Sequence, residues 1–311
     1  MGEAAAGRSI ALHCFAVVTA AATLGLIVAG GLVTSTESGL SVPDWPLSYG
    51  KVMPPMVGGV FYEHGHRMVA TTVGILMVVL AVWLARREPR RWVRRLGLLA
   101  VGAVVAQGVL GGLTVIFLLP TAVSVAHACL AQTFFCLTVT IAVVTSPRWS
   151  PAVETREPLM RLAAATVGAV FVQLAIGAVM RHTKAGLAIP DFPLSLGRVV
   201  PPLDSFPVAI AFAHRAWAVV VAALVVTTVV AAFRAGRRRT GFFLGALVLV
   251  QIALGALTVL SRKNVAVTTA HVATGALLLG TSLALCLFSV SRARETRPAD
   301  VLVPREALAW K

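Results

Sequence analysis

Gly39-Leu40-Ser41-Val42-Pro43-Asp44-Trp45-Pro46-Leu47-Ser48 recurs as Gly186-Leu187-Ala188-Ile189-Pro190-Asp191-Phe192-Pro193-Leu194-Ser195, 147 residues further along the chain. The match continues through Gly50 and Gly197 to Pro54-Pro55 and Pro201-Pro202. His66-Arg67 recurs as His214-Arg215, and Ala126-His127 as Ala270-His271. Between them, Gln107, Gly111, Leu113, Thr114 and Val115 recur as Gln251, Gly255, Leu257, Thr258 and Val259. Chance similarity between apolar segments would not reproduce a Pro-Asp-aromatic-Pro-Leu loop and two histidines in order. The chain therefore reads as a tandem duplication.

The sequence around these motifs is apolar. The 311 residues are 58% hydrophobic and 13% charged, with a mean hydropathy of +0.88. A soluble domain carries about 25% charged residues, so this chain lacks the polar surface to face water. A soluble enzyme, a disordered chain and a secreted disulfide scaffold are excluded. Apolar runs at about 10–33, 61–85, 97–118, 121–145, 159–180, 206–233, 241–260 and 265–289 are each long enough to cross a bilayer, which takes roughly 20 residues. The first run is too long for the apolar core of a signal peptide and reads as an uncleaved helix. Each repeat unit holds four spans, so both units have the same orientation. The predicted fold is an all-α membrane protein, eight transmembrane helices arranged as two pseudo-symmetric four-helix bundles. The expected divisions are an N-terminal half at 1–146, a cytoplasmic linker at 147–158, a C-terminal half at 159–291 and a cytoplasmic tail at 292–311.

The net charge of +15 would suit a nucleic-acid binder, but the basic residues sort by side of the membrane. Arg86, Arg87, Arg90, Arg91, Arg94 and Arg95 lie between spans two and three. Arg148, Arg156 and Arg161 lie between four and five, and Arg234, Arg237, Arg238 and Arg239 between six and seven. With Arg8, Arg292, Arg294, Arg297, Arg305 and Lys311 at the termini, 19 of the 27 Lys and Arg share one side. The positive-inside rule makes that side cytoplasmic and puts both termini there. The charge orients the protein and meets anionic lipid; no nucleic acid is expected. Cys14, Cys129, Cys136 and Cys286 fall inside spans without metal-binding spacing, as packing thiols do.

Four of the seven histidines fall inside spans and pair through the repeat: His66 with His127, and His214 with His271. Ionisable side chains at membrane depth are costly and mark function. All four lie on helices that enter from the outer side, at similar depth. Two imidazoles facing each other across a bundle can clamp a haem iron, whereas two ligands per half do not complete a tetrahedral zinc site. Arg67 and Arg215 each follow a histidine; they either meet haem propionates or snorkel to the surface. The repeat breaks at Glu63, one turn before His66, where the second half has Ile210 and Ala211. One pocket thus has an acid and the other none, which suggests chemistry in the first and a redox cofactor in the second. The alternative for Glu63 is an exposed ion pair with Arg67, worth about 0–1 kcal/mol. His64 points away from His66 on the same helix, and His13 and His182 read as structural or solvated.

In these features the chain resembles the haem A synthase family of membrane enzymes. The resemblance rests on the Gly39-to-Pro55 loop, on Glu63-x-x-His66-Arg67, on Arg181-His182-Thr183 with the second loop, and on His127, His214 and His271. It implies an oxidoreductase that converts the C8 methyl of haem O to a formyl group, giving haem A for terminal oxidases. It implies substrate haem at His66 and His127, a haem b cofactor at His214 and His271, Glu63 as the essential carboxylate, and Arg67 and Arg215 at the haem edges. Many members carry a cysteine pair where this chain has Ser41 and Ser48, so thiol chemistry in that loop is not available here. The family setting is a multi-pass cell-membrane protein. Haem O synthase, the terminal oxidase, quinone and a second copy of the chain stay open as partners. A non-catalytic dihaem b-type cytochrome exchanging electrons with quinone is the alternative on the same four histidines, and a parallel-repeat transporter is a more distant one.

Overall fold

The computed structural model describes residues 10–149 and 158–290. Within them run eight long helices: α1 Ile10–Ser35, α2 Gly59–Arg87, α3 Arg91–Ile116, α4 Thr121–Thr145, α5 Pro158–His182, α6 Phe206–Arg234, α7 Arg238–Leu260 and α8 Val265–Ser289. Each is long and apolar enough to span a membrane. The linker expected at 147–158 falls mostly outside the described residues, and the tail at 292–311 wholly so.

The helix ends follow local chemistry. Pro89 stops α2 after Arg87, Pro120 precedes α4, and Pro207 sits in the first turn of α6, where its missing N–H costs nothing. The Asn264 side-chain oxygen Oδ1 accepts from the Ala266 and Val267 amides at 3.1 and 3.3 Å and caps α8. Helix α3 begins at Arg91, so Arg91, Arg94 and Arg95 form its first turns instead of lying in a loop. Likewise, His182 is the last residue of α5.

Helices α1 to α4 form one ring, each touching the next and α4 closing on α1; α5 to α8 form a second. Helices α2 and α4 therefore sit diagonally across their bundle, as do α6 and α8. The halves join through α1, α4, α5 and α8, with α4 against α8 on the pseudo-twofold. There Phe135 packs so closely on Gly280 that an added Cβ would lie 2.9 Å from its ring. Such contacts suit a bilayer, where close packing rather than water exclusion holds helices together. The outward faces of α3 and α7 carry Leu98, Leu99, Phe242 and Leu249, all exposed as lipid-facing side chains of a span would be. Interior hydroxyls bond within the protein: Thr166 Oγ1 meets Thr228 Oγ1 at 2.8 Å between α5 and α6, and Ser282 donates to the Leu278 carbonyl at 2.7 Å.

Two of the orienting arginines also have a structural task. Arg90 donates to the Val144 carbonyl at 2.9 Å and Arg237 to the Phe288 carbonyl at 2.7 Å. These are repeat-equivalent contacts. In each, a turn arginine satisfies an end carbonyl of the bundle's last helix. Arg90 is further held by Glu88 at 2.6 Å and lies over Trp92 and Trp149.

Candidate functional site

His66 and His214 project from α2 and α6, and His127 and His271 from the diagonal helices α4 and α8. The members of each pair thus sit on diagonal helices of their ring. Every one of these imidazoles rests on a glycine of the preceding helix. A Cβ on Gly30 would meet His66 Cε1 at 3.2 Å, on Gly111 His127 Cε1 at 3.3 Å, on Gly177 His214 Cε1 at 3.0 Å, and on Gly255 His271 Cε1 at 3.1 Å. A side chain at any of the four positions would press on its ring, which would have to give by a few tenths of an ångström, and all four helices carry glycine there. The Nδ1 atoms of His66, His127 and His271 are buried without a hydrogen-bond partner.

The loops of residues 36–58 and 183–205 close the histidine end of each bundle, and their repeated motif acts through its aspartate. The Asp44 carboxylate accepts from the Tyr49 and Gly50 amides at 2.6 and 2.8 Å, and Asp191 accepts from Leu196 and Gly197 at 2.8 Å each. Tyr49, Gly50, Leu196 and Gly197 all have positive φ, a strained conformation for Tyr and Leu. The amide bonds to the aspartate hold it. Val42 and Ile189, also repeat partners, are buried beneath the loops. The Gly50 amide foremost holds the Asp44 carboxyl below its ordinary 3.8, as the Gly197 amide does for Asp191. A carboxyl lowered by folding stabilises above its unfolded pKa, and that contribution is lost as pH falls through the folded value. Exchange protection of these four amides, corrected for intrinsic rate, is expected to hold down to about pH 4 and fall below it. Loss already between about pH 6 and 5 would contradict this role.

Arg67 and Arg215 tie these loops to the helices. Arg67 Nη1 donates to the Asp44 and Leu47 carbonyls at 2.8 Å each, and Arg215 bonds the Leu194 and Ile189 carbonyls, also at 2.8 Å. Both guanidinium groups, expected at the haem edge, are thus already engaged by loop backbone. Glu63 completes the anchor in the first half alone: Oε2 accepts from the Val42 amide at 2.8 Å and Oε1 from Arg67 Nη2 at 2.7 Å. It is only 4% exposed, so the exposed ion pair expected at that edge is instead buried under the loop. The physical reason is the loop itself, which folds back over the start of α2 and brings Val42 onto the carboxylate.

The polar contacts of two further residues do not follow from spacing along the chain. His64 is buried, and its Nδ1 hydrogen-bonds Ser48 Oγ at 2.8 Å; its position away from His66 leaves it facing the loop. Arg181 crosses between the halves, donating to the Gly31 carbonyl at 2.9 Å and to Ser35 Oγ at 2.8 Å. Its repeat counterpart is Thr34, a departure that could have flagged it. His13 joins α1 to α4 through the Ala142 carbonyl at 3.0 Å.

A duplicated eight-helix membrane protein with one diagonal histidine pair per bundle is the class that this fold and site define. The profile of a cytochrome oxidase assembly protein family matches residues 13–59 and 56–283. A protein named haem A synthase from Symbiobacterium thermophilum is 33% identical over 92% of this chain and 98% of its own. Another so named, from Caulobacter vibrioides, is 30% identical over 89% of this chain and 95% of its own. The chain belongs to the haem A synthase family, a family of membrane enzymes.

Proposed function

We propose that this protein is a haem A synthase, oxidising the C8 methyl of haem O to the formyl group of haem A. The observation that carries the proposal is the fourfold register of glycine against histidine, which leaves two imidazoles on diagonal helices of each bundle. That donor set suits a macrocycle, which fills four positions on its iron and asks two of the protein. Among the described residues no group of three or more His, Cys, Asp or Glu could hold a free metal ion. A buried ring nitrogen without a protein partner on His66, His127 and His271 fits rings that take a further group.

His66 and His127 hold the substrate haem, and His214 and His271 hold haem b. Haem iron, when bound, supplies the oxidising chemistry. The chain holds the macrocycle edge under the loop, excludes water through Val42 and its repeat partner Ile189, and presents the Glu63 carboxylate one turn from His66. Glu63 takes up the proton released as the methyl carbon is oxidised, its charge held in place by Arg67 and the Val42 amide. Arg67 and Arg215 position the loops against the haem edge. Both termini lie in the cytoplasm, and the protein resides in the cell membrane.

Pigment extraction from purified protein tests the proposal: haem b accompanied by haem O or haem A is expected. Haem b alone at two per chain would favour a dihaem cytochrome, and no haem would exclude both. The glycines give a finer check. Gly177→Val should displace His214 and remove most of the haem b absorbance. Gly168→Val on the same helix, where a Cβ meets nothing within 4 Å, should leave it near wild type. Equal absorbance in the two variants would refute the cradle.

A further inference from the structure

The two loops that close the histidine ends carry apolar side chains where a loop in water would carry polar ones. Trp45, Leu47 and Val52 are exposed in the first loop, and their repeat counterparts Phe192, Leu194 and Val199 are exposed in the second. Val52 and Val199 are 82% and 80% exposed, so no other part of the protein covers them. Lys51 and Arg198, also exposed, immediately precede them. Apolar groups left open at equivalent places in two loops mark a surface that meets a partner.

Depth identifies that partner. Arg67 donates to the Asp44 and Leu47 carbonyls, yet it lies eight residues inside the start of α2. At 1.5 Å per residue, the loop therefore descends about 12 Å alongside the helix. Arg67 is also 19 residues from Arg86 in the last turn of α2, and Arg215, bonded to the Leu194 carbonyl, is 19 residues from Arg234 in the last turn of α6. That spacing is about 29 Å along a helix, close to the roughly 30 Å of a bilayer's hydrocarbon core. With Arg86 and Arg234 at one headgroup layer, the loop segments held by Arg67 and Arg215 lie at the opposite boundary. Trp45 reaches the same level on the neighbouring helix. A Cβ added to Gly112 would lie 2.7 Å from its ring, and Gly112 is four residues before the end of α3, the helix whose outward face is apolar and open.

We propose that the two loops are interfacial anchors. Trp45, Leu47 and Val52, with Phe192, Leu194 and Val199, enter the boundary between acyl chains and headgroups in the leaflet opposite Arg86 and Arg234, and Lys51 and Arg198 meet its lipid phosphates. Tryptophan is enriched at that boundary, and a basic side chain beside apolar ones lays its stem on acyl chains while its charge reaches the headgroups. A protein partner would have to fit two such surfaces related by the pseudo-twofold, whereas a bilayer meets both at once. The loops are then held over the histidines from the lipid side as well as by Arg67 and Arg215. The inference stands apart from the haem assignment.

Fluorescence quenching on purified full-length protein in phospholipid nanodiscs tests the proposal. Val52→Cys and Val199→Cys, each in a background with the four native cysteines replaced by alanine, carry an environment-sensitive label. Asp204→Cys, at an exposed polar position just before α6, is the reference. Lipid bearing a nitroxide high on its acyl chain should remove most of the emission at the two valine sites and little at the reference, and aqueous iodide should do the reverse. Labels at 52 and 199 that iodide quenches as strongly as the reference would put both loops in water and overturn the anchor, leaving the surface to a protein partner. Where the cysteine-free background fails to accumulate, tryptophan emission of the otherwise native protein carries the test. The part of that emission lost in Trp45→Phe should be quenched by nitroxide lipid and spared by iodide; the opposite result overturns the proposal.

Discussion

Glu63→Gln should stop haem A formation while leaving the second-half haem in place. Glutamine keeps the shape of the side chain and one acceptor oxygen but loses the charge and the second acceptor. The oxygen can serve Val42 or Arg67, and the amide NH2 then faces the other donor. Arg67 keeps its bonds to the Asp44 and Leu47 carbonyls, so the loop loosens without being released, at a cost of about 1–3 kcal/mol. Membrane insertion should survive that cost. His214 and His271 lie in the other ring of helices, so haem b should be retained at near-normal content. Substrate oxidation should not survive, because the second half shows what a bundle without this acid looks like: Ile210 and Ala211 stand in its place. Chromatography of extracted haems from cells supplied with haem O is the measurement. Haem O or a partly oxidised haem should accumulate with little or no haem A. Haem A at the wild-type rate would make Glu63 a loop anchor and nothing more.

The second large effect is expected from His214→Ala or His271→Ala. Each deletes one of the two imidazoles in the second bundle; the other histidine on its described helices, His182, is the last residue of α5. Purified protein should lose most of its haem b absorbance in either variant. His66→Ala and His127→Ala should retain it, because their bundle has its own glycine cradle and its own core. A low-spin bis-histidine spectrum kept in both second-half variants would assign the stable haem to the first half instead.

The eight spans, the duplication and the four histidines were legible from the residues because each depends on composition or spacing along one chain. Apolar length decides whether a segment crosses a bilayer, and an even number of spans decides that the two halves are parallel. The glycines of the cradle were also visible as repeat matches at Gly111 and Gly255, but nothing local says which side chain a bare Cα faces. That relation joins residues of different helices and exists only once α1 packs on α2 and α3 on α4. The same holds for Glu63. Its place one turn from His66 follows from helical periodicity, whereas its burial follows from the return of the loop, which sets the Val42 amide and Arg67 on its two oxygens. The arginines show the difference most clearly. Their number on one side predicts orientation, a long-range effect of charge. Which of them satisfies an end carbonyl, as Arg90 does for Val144 and Arg237 for Phe288, depends on a hydrogen bond whose partners are brought within 3 Å only by the closing of each bundle. Sequence determined what enters the membrane and in what order; tertiary packing decided which polar groups find one another there, because in a medium without water each must be satisfied by another part of the protein.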